Sequence, residues 1–88
     1  MNRIEFVLEK IETKDTNTVR AWEGVAERIF GKAAPACQGL VCPEAVLTLR
    51  ADSDLPKLGL AILAAEERHF SYRLVVITKD GFEWTRKP

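Results

Sequence analysis

An excess charge of either sign is the first thing this chain lacks. Its 88 residues hold thirteen Lys and Arg against thirteen Asp and Glu, for a formal net charge of zero at pH 7. No global field drives such a protein onto nucleic acid or an anionic membrane. Catalytic groups are scarce as well. There is one histidine, His69, and there are two cysteines, Cys37 and Cys42, so a single histidine would have to serve any nucleophile, whether Ser71 or a thiol, and none carries a nucleophile signature. Structural zinc wants four ligands, usually as two close pairs, and two thiolates with one imidazole fall short. The glycines at 24, 31, 39, 59 and 81 are scattered singly, which excludes a phosphate-cradling loop. No cofactor and no metal are expected, and the chain reads as non-enzymatic.

Long apolar runs are missing too. The longest, Leu58 to Ala65, is interrupted by Gly59 and ends in Glu66-Glu67-Arg68, far short of the roughly 18 to 20 residues that span a bilayer. The opening residues alternate like a strand and lack the charged head, apolar stretch and cleavage site of a secretory signal. The expected compartment is therefore the cytoplasm, with Cys37 and Cys42 reduced and lining the edge of the core. A disulfide or redox pair is the alternative.

What is present is an ordinary globular composition, 47% apolar and 30% charged, sufficient for one small domain over residues 1–88. Ile4, Phe6 and Leu8 alternate with Glu5 and Glu9, the period of a strand over 3–11. Asp, Asn and Thr between 13 and 18 can cap a helix starting near 17. Along that helix Val19, Trp22, Val25, Ala26, Ile29 and Phe30 recur at helical spacing, and Gly31 can end it. Gly24 inside the helix costs about 1 kcal/mol relative to Ala, which predicts close packing against a neighbour. Residues 32–43, with two prolines and two cysteines, read as a long loop with a short strand at 40–42. Alternation of Ala45, Leu47, Leu49 and Ala51 predicts a second strand.

Asp52-Ser53-Asp54 and Pro56 announce a second helix, with Leu55, Leu58, Ile62 and Ala65 as its buried stripe and its end near His69. A strand over 58–67 is the competing reading. The best-defined element is the last, Tyr72 to Arg86, a β-hairpin closing on Asp80-Gly81. A two-residue turn there sets Lys79 opposite Phe82, Ile77 opposite Trp84 and Val75 opposite Arg86, with Thr78 opposite Glu83 and Val76 opposite Thr85 on the other side. Val75, Ile77, Phe82 and Trp84 then form the core face. The fold class is α+β in the order β-α-β-α-β-β, a mostly antiparallel sheet with both helices on one face.

Several groupings suggest function. Tyr72, Leu74 and Val76 make the second face of their strand apolar, which requires cover from within the domain or from another chain, and with Trp84 they form a candidate interface. Arg73, Lys79, Arg86 and Lys87 concentrate positive charge in the hairpin beside aromatics, a candidate nucleic-acid contact. Glu23 and Glu27, one helical turn apart, read as a solvated face, and Glu66-Glu67-Arg68-His69 as a helix end where cations meet the negative dipole.

The run Tyr72 to Ile77 before Lys79-Asp80-Gly81 resembles the closing hairpin of small toxin ribonucleases of the RelE and ParE superfamily. The resemblance spans residues 72–86 and carries no catalytic position; the long helical hairpin that opens those toxins is missing. The start, Arg3-Ile4-Glu5-Phe6 followed by a helix, is similar to small DNA-damage regulators of the DinI type, from which the strand-rich end departs. The expectation is a binding or regulatory protein of the kind small mobile-element genes encode, acting on a protein partner, itself included. A small nucleic-acid binder or toxin-like ribonuclease is the alternative.

Overall fold

The computed structural model describes residues 2–87. Its elements are β1 (Arg3–Leu8), β2 (Ile11–Glu12), α1 (Thr16–Phe30), β3 (Val41–Cys42), β4 (Ala45–Arg50), α2 (Leu55–Glu67), β5 (Tyr72–Ile77) and β6 (Glu83–Arg86), with a short 3-10 turn at Gly31–Ala33. Four strands form an antiparallel sheet in the order β4-β1-β5-β6, and β2 pairs with β3 in a small second sheet. This is the predicted α+β order with one short pair added. The added pair arises because the strand expected over 3–11 breaks at Glu9. There the backbone N–H donates to Ser71 C=O at 3.0 Å, and the carbonyl accepts from Trp22 Nε1 at 3.3 Å. Trp22 is fully buried, and an indole N–H buried without a partner would be costly, so the carbonyl of a broken strand serves it.

The register places Ile4, Phe6 and Leu8 on the same side of the sheet as Ala45, Leu47, Leu49, Tyr72, Leu74 and Val76. Both helices pack on that side. Phe6, Leu8, Ala45 and Tyr72 meet Val19, Trp22, Val25 and Ala26 of α1 and Ala61, Ala64 and Ala65 of α2 in one cluster. The Phe6 and Tyr72 rings stack with centroids 5.2 Å apart. The second apolar face of β5 is thus covered mainly from within the chain.

Helix α1 follows its sequence closely. Asp15 accepts from Asn17 N–H at 2.9 Å and from Thr18 Oγ1 at 3.1 Å, and Gly31 ends the helix at φ 59°. Gly24 departs from expectation. It is exposed, and a methyl group there would meet no atom within 4 Å beyond the helix's own backbone, so no close neighbour explains it.

Helix α2 settles residues 58–67 as helix, and the predicted stripe packs on the core at Leu58, Ile62 and Ala65 but not at Leu55. Its buried residues are Ala61, Ala64 and Ala65; Leu58 and Ile62 are half-buried, while Leu55, Leu60 and Leu63 are exposed. Small side chains at 61, 64 and 65 let the helix lie close to the sheet and to α1, and Leu60 and Leu63 fall on its outer faces. Asp54 stands at the N-cap position, yet its Oδ2 accepts from Arg50 N–H at 2.9 Å instead of capping the helix. At the other end His69 takes φ 61°; its N–H donates to Glu66 C=O at 3.1 Å, and Phe70 N–H donates to Ala65 C=O at 3.0 Å. Those two bonds make a Schellman ending in which His stands where Gly is usual.

Two corrections concern the loop and the hairpin. Cys37 and Cys42 are joined in a disulfide, not held as reduced thiols. The short strand β3 carries Cys42 into the core opposite Ile11. A tight turn at Gly39-Leu40, in which Gln38 N–H donates to Val41 C=O at 2.9 Å, Val41 N–H donates to Gln38 C=O at 3.1 Å and Gly39 takes φ 59°, sets Cys37 across from Cys42. In the hairpin, Thr78 N–H donates to Phe82 C=O at 2.8 Å and Gly81 N–H donates to Thr78 C=O at 3.0 Å. The turn therefore holds three residues, Lys79, Asp80 and Gly81, with Gly81 at φ 86°, the arrangement of a type I turn followed by a left-handed residue. The observed partners are Leu74 with Arg86, Val75 with Thr85, Val76 with Trp84 and Ile77 with Glu83. This register is one residue away from that of a two-residue turn, and it turns every side chain of β6 to the opposite face. Val75 and Ile77 lie on one side of the sheet and Trp84 on the other; Phe82 and Trp84 are exposed rather than core.

Two stability outcomes follow. Gly24→Ala should stabilise the protein by about 0.5–1 kcal/mol, because it removes backbone entropy from the unfolded chain without a clash; a lower urea midpoint would contradict the open environment. Reduction of the disulfide, or Cys37→Ser, should cost about 2 kcal/mol for so short a closed loop, read as a drop in the same midpoint.

Candidate interaction surface

The two sides of the sheet differ in chemistry. The side away from the helices carries Arg3, Glu5, Val7, Val46, Thr48, Arg73, Val75, Ile77, Glu83 and Thr85. Near one end, Arg73 lies 3.2 Å from Glu44 and 3.7 Å from Glu9, and Lys87 lies 3.7 Å from Glu9. Val7 and Val75, at the centre of the two inner strands, are buried among these neighbours. This is a solvated face with a mixed-charge border.

Cover on the helix side is uneven. Within the large sheet the helices rest mainly on β4 and β1, α2 on both and α1 on β4. The layer thins toward β5, where Leu74 and Val76 are only half-buried, and β6 is fully exposed along its length. A cleft of about 250 Å³ opens at this boundary, lined by Ile62, Glu66, Tyr72, Leu74 and Arg86. Trp84 stands opposite Val76 on the same side and is 56% exposed; Phe82 is 75% exposed. Two large aromatics are thus presented to water at a sheet edge beside a half-covered apolar shelf.

The four predicted interface residues, Tyr72, Leu74, Val76 and Trp84, fall on this one side, but they are not equivalent. Tyr72 is only 7% exposed and serves as the floor. Its hydroxyl donates to Glu66 Oε1 at 2.6 Å. Burial and that carboxylate push its pKa up to about 12, with Arg86 pulling weakly the other way. Phe82, assigned to the core from the sequence, belongs to the exposed surface instead. The signal that could have found it is the glycine: Gly81 fits a three-residue turn as well as a two-residue one.

The four basic residues are not gathered. Arg73 and Lys87 lie toward the open side with acidic partners, Arg86 lines the cleft on the helix side, and Lys79 sits in the turn. Other sequence candidates have structural duties. Cys37 and Cys42 are consumed in their bond, Glu67 pairs with Arg28 at 3.1 Å across the two helices, and His69 closes α2. Glu23 and Glu27 are exposed on α1. Among the described residues no three His, Cys, Asp or Glu side chains gather in a way that could hold a metal ion, and no helix is long and apolar enough to cross a membrane.

Tyr72 is the single tyrosine, so its ionisation can be followed directly. A folded-state pKa raised from 10 to about 12 means that its contribution to stability is complete below pH 10 and is lost as pH rises toward 12. The phenolate absorbance should therefore appear late and together with loss of stability, and Tyr72→Phe should remove that alkaline dependence. Ionisation near pH 10 in the intact fold would contradict the buried hydrogen bond. No family model, curated protein or solved structure matches the chain.

Proposed function

We propose that this chain is a non-enzymatic binding module that acts through protein–protein contacts, accepting an extended partner segment along β6. The observation that carries this reading is the exposure of Phe82 and Trp84 on an edge strand whose helix side is only partly covered. An edge strand offers a row of N–H and C=O groups for strand addition, and apolar side chains beside it supply the burial that backbone bonds alone do not. Aromatic residues are the usual energetic anchors of such contacts. The half-covered shelf of Ile62, Leu74 and Val76 extends the same surface inward.

A nucleic-acid reading draws no comparable support, since Arg73, Lys79, Arg86 and Lys87 are divided between two faces and a turn. The Cys37–Cys42 bond bears on where the module works. In the reducing cytoplasm expected from the sequence the loop would be held as a dithiol, whereas an oxidising compartment would keep it closed.

Panning displayed random peptides against the folded protein tests the reading. Selected binders should be extended segments that lose about tenfold or more in affinity with Trp84→Ala, while Trp22 fluorescence still reports a packed core. Binders indifferent to both Trp84 and Phe82 would overturn it.

A further inference from the structure

The chain contains a segment suited to the β6 edge, and that segment is β6 itself. The bond from Thr78 N–H to Phe82 C=O fixes the phase of the β5–β6 ladder. Hydrogen-bonded pairs alternate with non-bonded ones in antiparallel strands, so Val76/Trp84 and Leu74/Arg86 are bonded pairs. Glu83, Thr85 and Lys87 then aim their backbone groups away from β5, toward the free edge. Antiparallel pairing of two copies about a two-fold axis normal to the sheet keeps both helix layers on the same side. It also requires each residue to meet one of the same parity.

Two registers satisfy this over the strand. Centring on Trp84 sets Trp84 against its own copy and Glu83 against Thr85. Centring on Thr85 sets Thr85 against Thr85, Glu83 against Lys87 and Trp84 against Arg86. In the second register every pair is favourable: two hydroxyls, a carboxylate with an ammonium, and an indole with a guanidinium. Over residues 83–87 it also joins three bonded positions per strand, where the first joins two. Glu83 and Arg86 have no ion-pair partner among the described residues. Lys87 is 69% exposed, and its contact with Glu9 at 3.7 Å is a surface pair of small worth, free to be exchanged for Glu83 of a second copy.

We propose that this protein self-associates through β6 in the register centred on Thr85, joining two four-stranded sheets into one continuous sheet. The inference rests on the reading of β6 as a docking edge and names its occupant. The site is self-complementary because its charges are segregated along it: Glu83 at one end, Arg86 and Lys87 at the other. A four-residue strand makes a small interface, so dissociation constants on the order of micromolar are expected.

Sedimentation of the full chain across a concentration series tests this. Wild type should pass from monomer to dimer. Glu83→Lys or Lys87→Glu alone should weaken association about tenfold or more by setting like charges opposite each other, and the double variant should restore it. Thr85→Cys places two cysteines across the axis with Cα atoms about 5.5 Å apart, within disulfide range. It should yield a cross-linked dimer on oxidation, whereas Trp84→Cys and the turn variant Lys79→Cys should not. Cross-linking by Trp84→Cys in place of Thr85→Cys would overturn the register. A strict monomer at high concentration that still binds Trp84-dependent peptides would overturn self-pairing and leave the docking edge standing. A monomer without such binders would overturn both.

Discussion

Thr78 N–H donates to Phe82 C=O, and Gly81 takes a left-handed φ of 86° to let it do so. Every face assignment in β6 descends from that closure. With three residues in the turn, Phe82, Trp84 and Arg86 stand on the helix side, and Glu83 and Thr85 on the open side. Because the helices concentrate over β4 and β1, the helix side at β6 is apolar in character without being buried. A turn shorter by one residue would instead set Trp84 with Val75 and Ile77 on the open side, beside Glu5 and Arg3, and leave no aromatic shelf.

The uneven cover has its own cause in α2. Alanines at 61, 64 and 65 let that helix approach the sheet and α1 closely, and Trp22, the largest buried side chain, fills the space beneath α1. Small side chains on the inner face mean that the leucines needed for bulk elsewhere lie outward, at Leu60 and Leu63. Close approach over β4 and β1 is therefore obtained at the expense of reach over β5 and β6. The Arg28–Glu67 pair and the Tyr72–Glu66 bond hold the C-terminal turn of α2 between α1 and β5, which makes the cleft at Ile62 and Leu74 a consequence of packing rather than of a loop.

Much of this fold was legible in the sequence, because period and caps agree. In α1 the apolar spacing, Asp15 and Gly31 all point the same way; β4 alternates cleanly; and the hairpin is marked by β-branched residues around Asp80-Gly81. The misreadings arose where one local signal admits two structures. Asp-Gly suits a two-residue or a three-residue turn, and burial could not choose between them, since β5 is apolar on both faces: Tyr72, Leu74 and Val76 on one, Val75 and Ile77 on the other. In α2 the predicted stripe holds at Leu58, Ile62 and Ala65 and fails at Leu55, while Ala61 and Ala64, too small to weigh in an apolar pattern, complete the inner face. The Cys37–Cys42 bond sits just outside a local two-residue turn at Gly39-Leu40, where Gln38 and Val41 exchange backbone bonds, a Gly-containing turn hidden in the reading of 32–43 as a long loop. For the surface, Tyr72, Leu74 and Val76 share a face by strand period, but Trp84, set with Val75 and Ile77 by the two-residue register, joins them only through the three-residue turn, and which of them water can reach depends on where the helices stop.

The sheet has two free edges among the described residues, β4 and β6, and they are not equally suited to a partner. On β4 the side chains that face the helices are covered already, Ala45 and Leu49 buried and Leu47 half-buried against the core, so a strand added there would gain backbone bonds and little apolar burial. On β6 the same addition would also cover Trp84 and approach Phe82. Natural edge strands are commonly blunted by charge directed along the edge. Here the charges at Glu83, Arg86 and Lys87 are of both signs and are spaced so that an antiparallel copy pairs them. Charge that would repel most strands in most registers thus favours one strand in one register, so the feature that protects the edge from indiscriminate pairing is also the one that selects its partner.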